Sequence, residues 1–280
     1  MSSANKKQNE FSCLATINEI KEFLERKGRG HTFFYHYTIL DTLKGMMKNR
    51  KLHLTRMDKL NDAMECAAAE DRKKRVYIVS FSFGSAESMA MWSMYGAPFK
   101  KGIRLTIPKR AITRTLQDFA KKGPDAVYST ETGERIPIVG TATLKMMDVV
   151  YAHRGSLEHN KEKLLDNQDS IVSNAKEAPE LAFCVKNEIW ISENETRMVL
   201  ELDKELPGDV KKVAIDFDYA VDSLEITGSP CISSDELENE LKSFERDKMH
   251  LSIAYNQVFF KDCKCEQQTD FCRKNRKETK

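Results

Sequence analysis

The chain has 280 residues, 40% of them hydrophobic and 31% charged, with a formal net charge of +2. This length is enough for a sizeable core, and the balanced charge gives no sign of a globally basic or membrane-binding surface. No apolar run approaches the ~20 residues that cross a bilayer, residues 1–10 are polar, and the seven cysteines are scattered. We therefore expect reduced thiols, no secretory signal and a cytoplasmic protein without a membrane partner.

In chain order, the sequence predicts disorder over residues 1–10 and an amphipathic helix over 13–27. An apolar, aromatic strand follows at 33–38, and Thr38-Ile39-Leu40-Asp41 fits the Ser/Thr-x-x-Asp/Glu pattern of a helix N-terminus. Further strands are predicted at 51–55, 76–83, 102–107, 136–139, 146–152, 196–202, 212–217 and 224–227. Further helices are predicted at 40–49, 86–95, 109–121, 158–177 and from 234 onward, whereas 182–190 and 258–260 are apolar and fit either class.

Helices and strands alternate without regular βαβ units, internal repeats or a Pro/Gly-rich linker. This pattern predicts a single α+β domain over 11–262, with helices packed on mixed or antiparallel sheets. Residues 263–280 read as a basic, flexible tail. Three cysteines cluster there, but a Cys-x-Cys pair without a fourth ligand is a poor match to a zinc site. We expect no metal.

Motifs that mark familiar enzyme classes are missing from the sequence. It contains neither GxGxxG nor GxxxxGK followed by Ser or Thr, so a Rossmann or P-loop nucleotide site is not supported. HExxH, GxSxG and the paired HxE and CxxC motifs are also missing, which argues against zincins, α/β-hydrolases and zinc deaminases.

Candidate site residues interrupt the apolar segments. His36 is expected at a strand-to-helix junction, where rigid elements position side chains towards a ligand. Ser80 and Ser82 share one face of the strand at 76–83, which either lines a cleft or faces solvent. At the end of the helix at 86–95, Trp92 suits the core, and Tyr95 could present a stacking face beside Gly96.

Glu193, Glu195 and Arg197 form the most unusual charged feature, because they recur at every second position of a predicted strand entrance. Like charges held close together raise one pKa unless a cation intervenes. Two interpretations stay open at this stage. The residues form a surface salt-bridge ladder, or one carboxylate orients a ribose hydroxyl or acts as a base.

Four short blocks follow one another along the chain. They are Tyr35-His36-Tyr37-Thr38; Leu54-Thr55-Arg56 with Asn61-Asp62-Ala63-Met64-Glu65; Ser80-Phe81-Ser82 with Met91-Trp92-Ser93-Met94-Tyr95-Gly96 and Gly102-Ile103-Arg104; and Trp190 with Glu193-x-Glu195-x-Arg197. In this order they resemble the bacterial DUF2971 family. Ala63 departs from the family, which usually has proline there. Members of this family often look like parts of bacterial antiviral defence or toxin modules.

The family pattern is in turn similar to ADP-ribosyltransferase-like folds with a His…Tyr…Glu arrangement. The resemblance implies that His36, supported by Thr38, contacts the nicotinamide ribose. It further implies that an aromatic residue, Tyr95 or its competitor Tyr37, stacks on nicotinamide.

The late glutamate of those folds, which orients the ribose 2′-OH, corresponds to Glu195, with Glu193 as competitor. The cations Arg56, Arg104 and Arg197 suit the pyrophosphate. The residues expected to bind NAD, the substrate, are Tyr37, Thr38, Arg56, Ser80, Ser82, Arg104 and Arg197. This hypothesis predicts that His36, Tyr95 and Glu195 converge on one cleft.

The resemblance thus implies an NAD-consuming, ADP-ribosyltransferase-like toxin or effector that modifies a macromolecule, either protein or nucleic acid, within a defence module with possible protein partners. A non-catalytic sensor or partner-binding module is the first alternative, in which side chains fill the cleft. The second is a metal-dependent nuclease that uses Asp62, Glu65, Glu193 and Glu195.

Overall fold

A computed structural model describes residues 30–61, 72–84, 87–96, 101–152, 181–221, 223–245 and 252–254. The predictions for 1–10, 13–27, 158–177, 258–260 and 263–280 lie outside these residues, as do those for Asp62, Ala63 and Glu65. Within the described residues, no helix combines the length and the apolar character needed to cross a membrane.

The described elements are mixed helices and strands, which confirms the predicted α+β class. The strands are β1 (Phe33–Ile39), β2 (Lys51–Arg56), β3 (Val76–Ser82), β4 (Gly102–Pro108), β5 (Val127–Ser129), β6 (Ala142–Asp148), β7 (Val150–Ala152), β8 (Val185–Asn187), β9 (Glu195–Leu202), β10 (Lys212–Asp216), β11 (Glu225–Gly228) and β12 (Ser252–Ala254). The helices are α1 (Leu40–Asn49), α2 (Met89–Tyr95), α3 (Lys109–Lys122), α4 (Leu181–Cys184), α5 (Asp218–Val221) and α6 (Ser234–Glu245). Three 3₁₀ turns lie at Met57–Lys59, Gly123–Ala126 and Glu188–Glu193.

Three local predictions are wrong. Thr38 does not cap α1, because its backbone stays in the ladder of β1 and the extended Ile39 precedes the helix without a side-chain cap. The strand predicted at 136–139 does not form, since Pro137 has no N–H to donate to a sheet. The strand predicted at 146–152 is divided between β6 and β7, which pair with different partners.

The chain divides into two compact units, with boundaries that fall inside β2, β3 and β10. The first unit contains Leu54–Ser80 and Ile138–Val213, and the second contains His31–His53, Phe81–Pro137 and the chain from Ala214 onward. The interpretation of the chain as one domain over 11–262 stays a prediction.

The first unit is organised around β9, a strand that is buried along nearly its whole length. Its antiparallel partner is β6, from Ala142 opposite Leu202 to Asp148 opposite Thr196, while β7 and β8 form a short parallel pair. One hydrophobic cluster in the core of this unit is formed by Met57, Val76, Ile78, Phe183 and Val199.

The second unit is organised around β1 and β4, which pair antiparallel over seven residues from Phe33 opposite Pro108 to Ile39 opposite Gly102. Strand β11 pairs antiparallel with β4 and parallel with β12. The predicted amphipathic pattern of α1 is confirmed, because its buried residues are Leu40, Leu43, Met46 and Met47.

Candidate functional site

The first unit holds a buried group of charged and polar side chains, here named the Glu195 cluster. It consists of Ser80, Lys186, Glu193, Glu195 and Arg197. Glu193 ends a 3₁₀ turn and Glu195 begins β9, with Asn194 between them in the left-handed region at φ 46°. Asparagine tolerates this conformation better than most residues, and the bend brings both carboxylates to Lys186.

Glu195 accepts hydrogen bonds at both carboxylate oxygens. Arg197 donates to it twice, from Nε to Oε1 at 2.6 Å and from Nη2 to Oε2 at 3.0 Å. The Ser80 hydroxyl donates to Oε1 at 2.5 Å, and Lys186 Nζ donates to Oε2 at 3.3 Å and to Glu193 at 2.5 Å. Glu193, Glu195 and Arg197 are only 2%, 3% and 1% exposed, so the surface-ladder interpretation is wrong.

The protonation of Glu195 follows from these contacts. Burial by itself raises the pKa of this carboxyl group, but the charges of Arg197 and Lys186 and the hydrogen bonds from Arg197 and Ser80 outweigh that effect. Together they lower the pKa to about 2. Glu195 is therefore an ionised hydrogen-bond acceptor and a weak base, which suits charge stabilisation better than proton abstraction.

Two contributors to this cluster escaped the sequence analysis. Lys186 lies in the segment 182–190, which fits either a helix or a strand by its sequence. Its charge within this apolar segment is the one feature that could have marked it as a site residue. Tyr151 of β7 accepts a hydrogen bond from the backbone N–H of Glu195 at 2.9 Å. Burial and the nearby Glu195 charge raise the pKa of Tyr151, so its hydroxyl stays neutral.

The second unit holds an aromatic cluster formed by Tyr35, Tyr37, Met91 and Trp92, against which the half-buried Tyr95 packs. The rings of Tyr37 and Trp92 meet edge to face at 4.9 Å. The Tyr37 hydroxyl accepts from the backbone N–H of Ser88, the residue that caps α2. Trp92 is fully buried, which confirms its predicted core position.

The other aromatic candidate in this unit, His36, lies on the opposite face of β1. Neighbouring residues of a strand point to opposite faces, and the ring of His36 is half-buried near Phe81 at 5.6 Å. The structure therefore does not bring His36 and Tyr95 together on one face of the sheet. Because Glu195 belongs to the other unit, its convergence with either residue stays a prediction.

Among the remaining candidates of this unit, Arg104 of β4 and Ser82 of β3 lie on the same face of the sheet as the aromatic cluster. Arg104 is buried opposite Tyr37, with its guanidinium 5.0 Å from the ring of Tyr35. Ser82 is buried opposite Tyr35. Thr38 is half-buried near the end of β1, on the His36 face.

Arg56, in the first unit, is already engaged by protein groups. Its guanidinium donates twice to Asp58, at 2.6 and 3.0 Å, once to Asp209 at 2.7 Å and once to the Val210 carbonyl at 3.2 Å. These contacts engage four of the five N–H donors of the guanidinium. Its role in binding a pyrophosphate stays a prediction.

The nuclease alternative gains no support from the described residues. Within the ranges described above, no group of three or more His, Cys, Asp or Glu side chains is arranged to hold a metal ion. Glu193 and Glu195 are instead paired with cations, and Asp62 and Glu65 lie outside the described residues.

Comparison with known proteins found no matching family model and no significant match among curated proteins. The chain is similar to the structure of Thermus sp. 2.9 DarT in complex with NAD+, at 14% identity, 82% coverage of this chain, 97% of that chain and a TM-score of 0.36. It is similar to the same protein in complex with ADP-ribosylated ssDNA at 14% identity, 83% and 97% coverage and a TM-score of 0.36. Membership of the DUF2971 family stays a prediction.

Proposed function

We propose that this protein consumes NAD and transfers its ADP-ribose unit to a macromolecule, as a toxin or effector. The observation that carries the proposal is the state of Glu195. This carboxylate is buried, ionised and fixed in orientation by three side chains. The resemblance of the sequence to ADP-ribosyltransferase-like folds assigns the ribose-orienting role to the same residue.

In this reaction the bond between the nicotinamide nitrogen and ribose C1′ breaks, and its electron pair leaves with nicotinamide. A nucleophile of the acceptor bonds to C1′ and loses its proton to solvent. Positive oxocarbenium character develops on the ribose as the bond breaks, and a fixed anion stabilises that charge. Glu195 suits this role because its ionisation persists at any physiological pH.

For the nicotinamide ring we propose the aromatic side of β1, where Tyr95 packs beside Tyr37 and where Arg104 supplies a cation for the pyrophosphate. His36 lies on the other side of the strand. Tyr95→Leu should therefore raise the KM for NAD about three- to tenfold, since a stacking contact is lost, whereas His36→Gln should leave it within about twofold. The reverse pattern would move NAD to the His36 face.

The main test measures nicotinamide release from NAD in the presence of protein, RNA and single-stranded DNA acceptors. Glu195→Gln should lower the rate about 100-fold or more, as expected for removal of a group that stabilises transition-state charge. Glu201→Gln is a matched control, because Glu201 lies on the same strand and pairs with Arg72. The thermal midpoint of each variant checks folding, and a Glu195→Gln rate within threefold of wild type contradicts the proposal.

One observation favours a second candidate function, a non-catalytic partner-binding module. Protein donors already contact both oxygens of Glu195, as expected if side chains fill the site. Under this alternative, wild-type protein leaves NAD intact with every class of acceptor, and Glu195→Gln lowers only the thermal midpoint.

A further inference from the structure

The hydrogen bonds at Glu195 leave no vacant position for a substrate. An ionised carboxylate offers about four acceptor sites on its two oxygens. Arg197 Nε and Ser80 Oγ occupy Oε1, and Arg197 Nη2 and Lys186 Nζ occupy Oε2. A ribose hydroxyl can therefore reach Glu195 only if one of these donors withdraws.

Arg197 and Ser80 are poorly suited to withdraw. Arg197 holds Glu195 with two nearly parallel bonds, a geometry that is both strong and specific. It also donates from Nη1 to the Phe183 carbonyl at 3.0 Å, so moving it would break three hydrogen bonds at once. Ser80 has a short side chain within β3, and its 2.5 Å contact has the length of a strong, charge-assisted hydrogen bond.

Lys186 differs on each of these points. Its contact with Glu195 is the longest of the four, at 3.3 Å, and its ammonium group is carried by a flexible four-carbon stem. If it leaves Glu195, it keeps the 2.5 Å ion pair with Glu193 and its position 4.7 Å from the centre of the Trp190 ring. The cation therefore stays paired within the site when its contact with Glu195 breaks.

We propose that Lys186 is a positioning residue that occupies, in the free protein, the Oε2 position of Glu195 which the substrate ribose hydroxyl takes over. Glu193 retains the ammonium group when the hydroxyl enters. Glu193 thus keeps Lys186 paired with a carboxylate while Glu195 binds the ribose hydroxyl. This inference rests on the proposed NAD-consuming function.

The test removes Lys186 and Glu193 together, as Lys186→Met/Glu193→Gln. Losing the lysine alone would leave Glu193 buried without its cation, whereas the double variant keeps net charge and approximate volume. Arg72→Met/Glu201→Gln is the matched control, since it deletes another cation–carboxylate pair of the same unit that does not touch Glu195. Nicotinamide release is measured against NAD concentration to separate KM from kcat, and calorimetric NAD titration without an acceptor gives the Kd.

Without the competing ammonium group, we expect the KM and Kd for NAD to fall about fivefold, while kcat stays within about threefold of wild type. A fivefold change is the size expected for one ordinary hydrogen bond. The control pair should change neither constant. An unchanged KM and Kd, or a kcat loss as large as that of Glu195→Gln, overturns the inference.

Lys186→Arg is the second variant and keeps the proposal testable if the double variant does not fold. A guanidinium keeps the charge and can bind a carboxylate through two parallel hydrogen bonds, so it should hold Glu195 more firmly and raise the KM for NAD. A purely structural role predicts an unchanged KM, which would overturn the inference. If wild type consumes NAD and both variants keep the wild-type KM, only this inference fails, whereas wild type that neither binds nor consumes NAD overturns the proposed function as well.

Discussion

Replacing Arg197 by methionine should destabilise the protein more than any other single change to the charged residues described above. Arg197 is 1% exposed and donates three hydrogen bonds, two to Glu195 and one to the Phe183 carbonyl. Methionine fills much of the volume but leaves two buried carboxylates with Lys186 as the remaining cation of the cluster. Breaking a buried ion pair in this way costs about 3–5 kcal/mol.

Such a loss is a large share of the ~5–15 kcal/mol by which folded proteins are usually stable. Restoring charge balance should reverse most of it. In Arg197→Met/Glu195→Gln a neutral amide replaces the carboxylate of Glu195, and Glu193 keeps its ion pair with Lys186. We therefore expect the double variant to be clearly more stable than Arg197→Met alone. The deficit of Arg197→Met should also shrink below pH 7, because losing the cation raises the pKa of Glu195 and protonation then removes the unpaired charge.

The assay is urea unfolding at pH 7 and pH 5, followed by tryptophan fluorescence. Arg72→Met is the control, since Arg72 also pairs with a carboxylate but its side chain is 19% exposed; it should cost clearly less than Arg197→Met. The reasoning is refuted if Arg197→Met is within about 1 kcal/mol of wild type, or if adding Glu195→Gln brings no recovery.

Four further predictions concern stability. The pKa of Glu195 is about 2 in the folded protein, and its ordinary value is 4.5. The contribution of Glu195 to the free energy of unfolding is therefore complete above about pH 4.5 and is lost as the pH falls towards 2. Over that range, the difference between wild type and Glu195→Gln in urea unfolding should shrink. Gly102→Ala places a Cβ 2.7 Å from the Gly96 carbonyl oxygen and should cost about 1–3 kcal/mol, whereas Gly45→Ala, in open space within α1, should gain about 0.5–1 kcal/mol; equal thermal midpoints would contradict both expectations. Thr227 is 0% exposed and its hydroxyl makes no hydrogen bond within the described residues, so Thr227→Val should raise the thermal midpoint.

Local patterns in the sequence were sufficient to predict the main elements. β1, β3 and β9 each carry a run of apolar, β-branched or aromatic residues. Such a run is enough to predict a strand from the sequence. The predicted cap at Thr38 failed because its backbone is held in the ladder with Ile103. Strand pairing of this kind depends on a partner 65 positions along the chain, as the numbering shows.

The candidate site likewise has features that local sequence predicts and contacts between distant residues that it does not. Neighbouring residues of a strand point to opposite faces, so the sequence alone was enough to predict that His36 and Tyr37 do not share a face of β1. By contrast, the contact between Ser80 and Glu195 joins residues 115 positions apart. Arg56 shows both cases, because Asp58 is two positions away and Asp209 is 153 positions away.

The Glu195 cluster is hard to explain by stability alone. Apolar side chains of similar volume often stabilise a protein interior as well as a buried ion pair does, because removing charges from water is expensive. The cluster nevertheless buries two carboxylates and two cations, each less than a tenth exposed. Breaking any single pair is costly, but that cost follows from having buried the charges and does not explain their presence. An ionised Glu195 held in one orientation fits the proposed role of stabilising charge on a ribose.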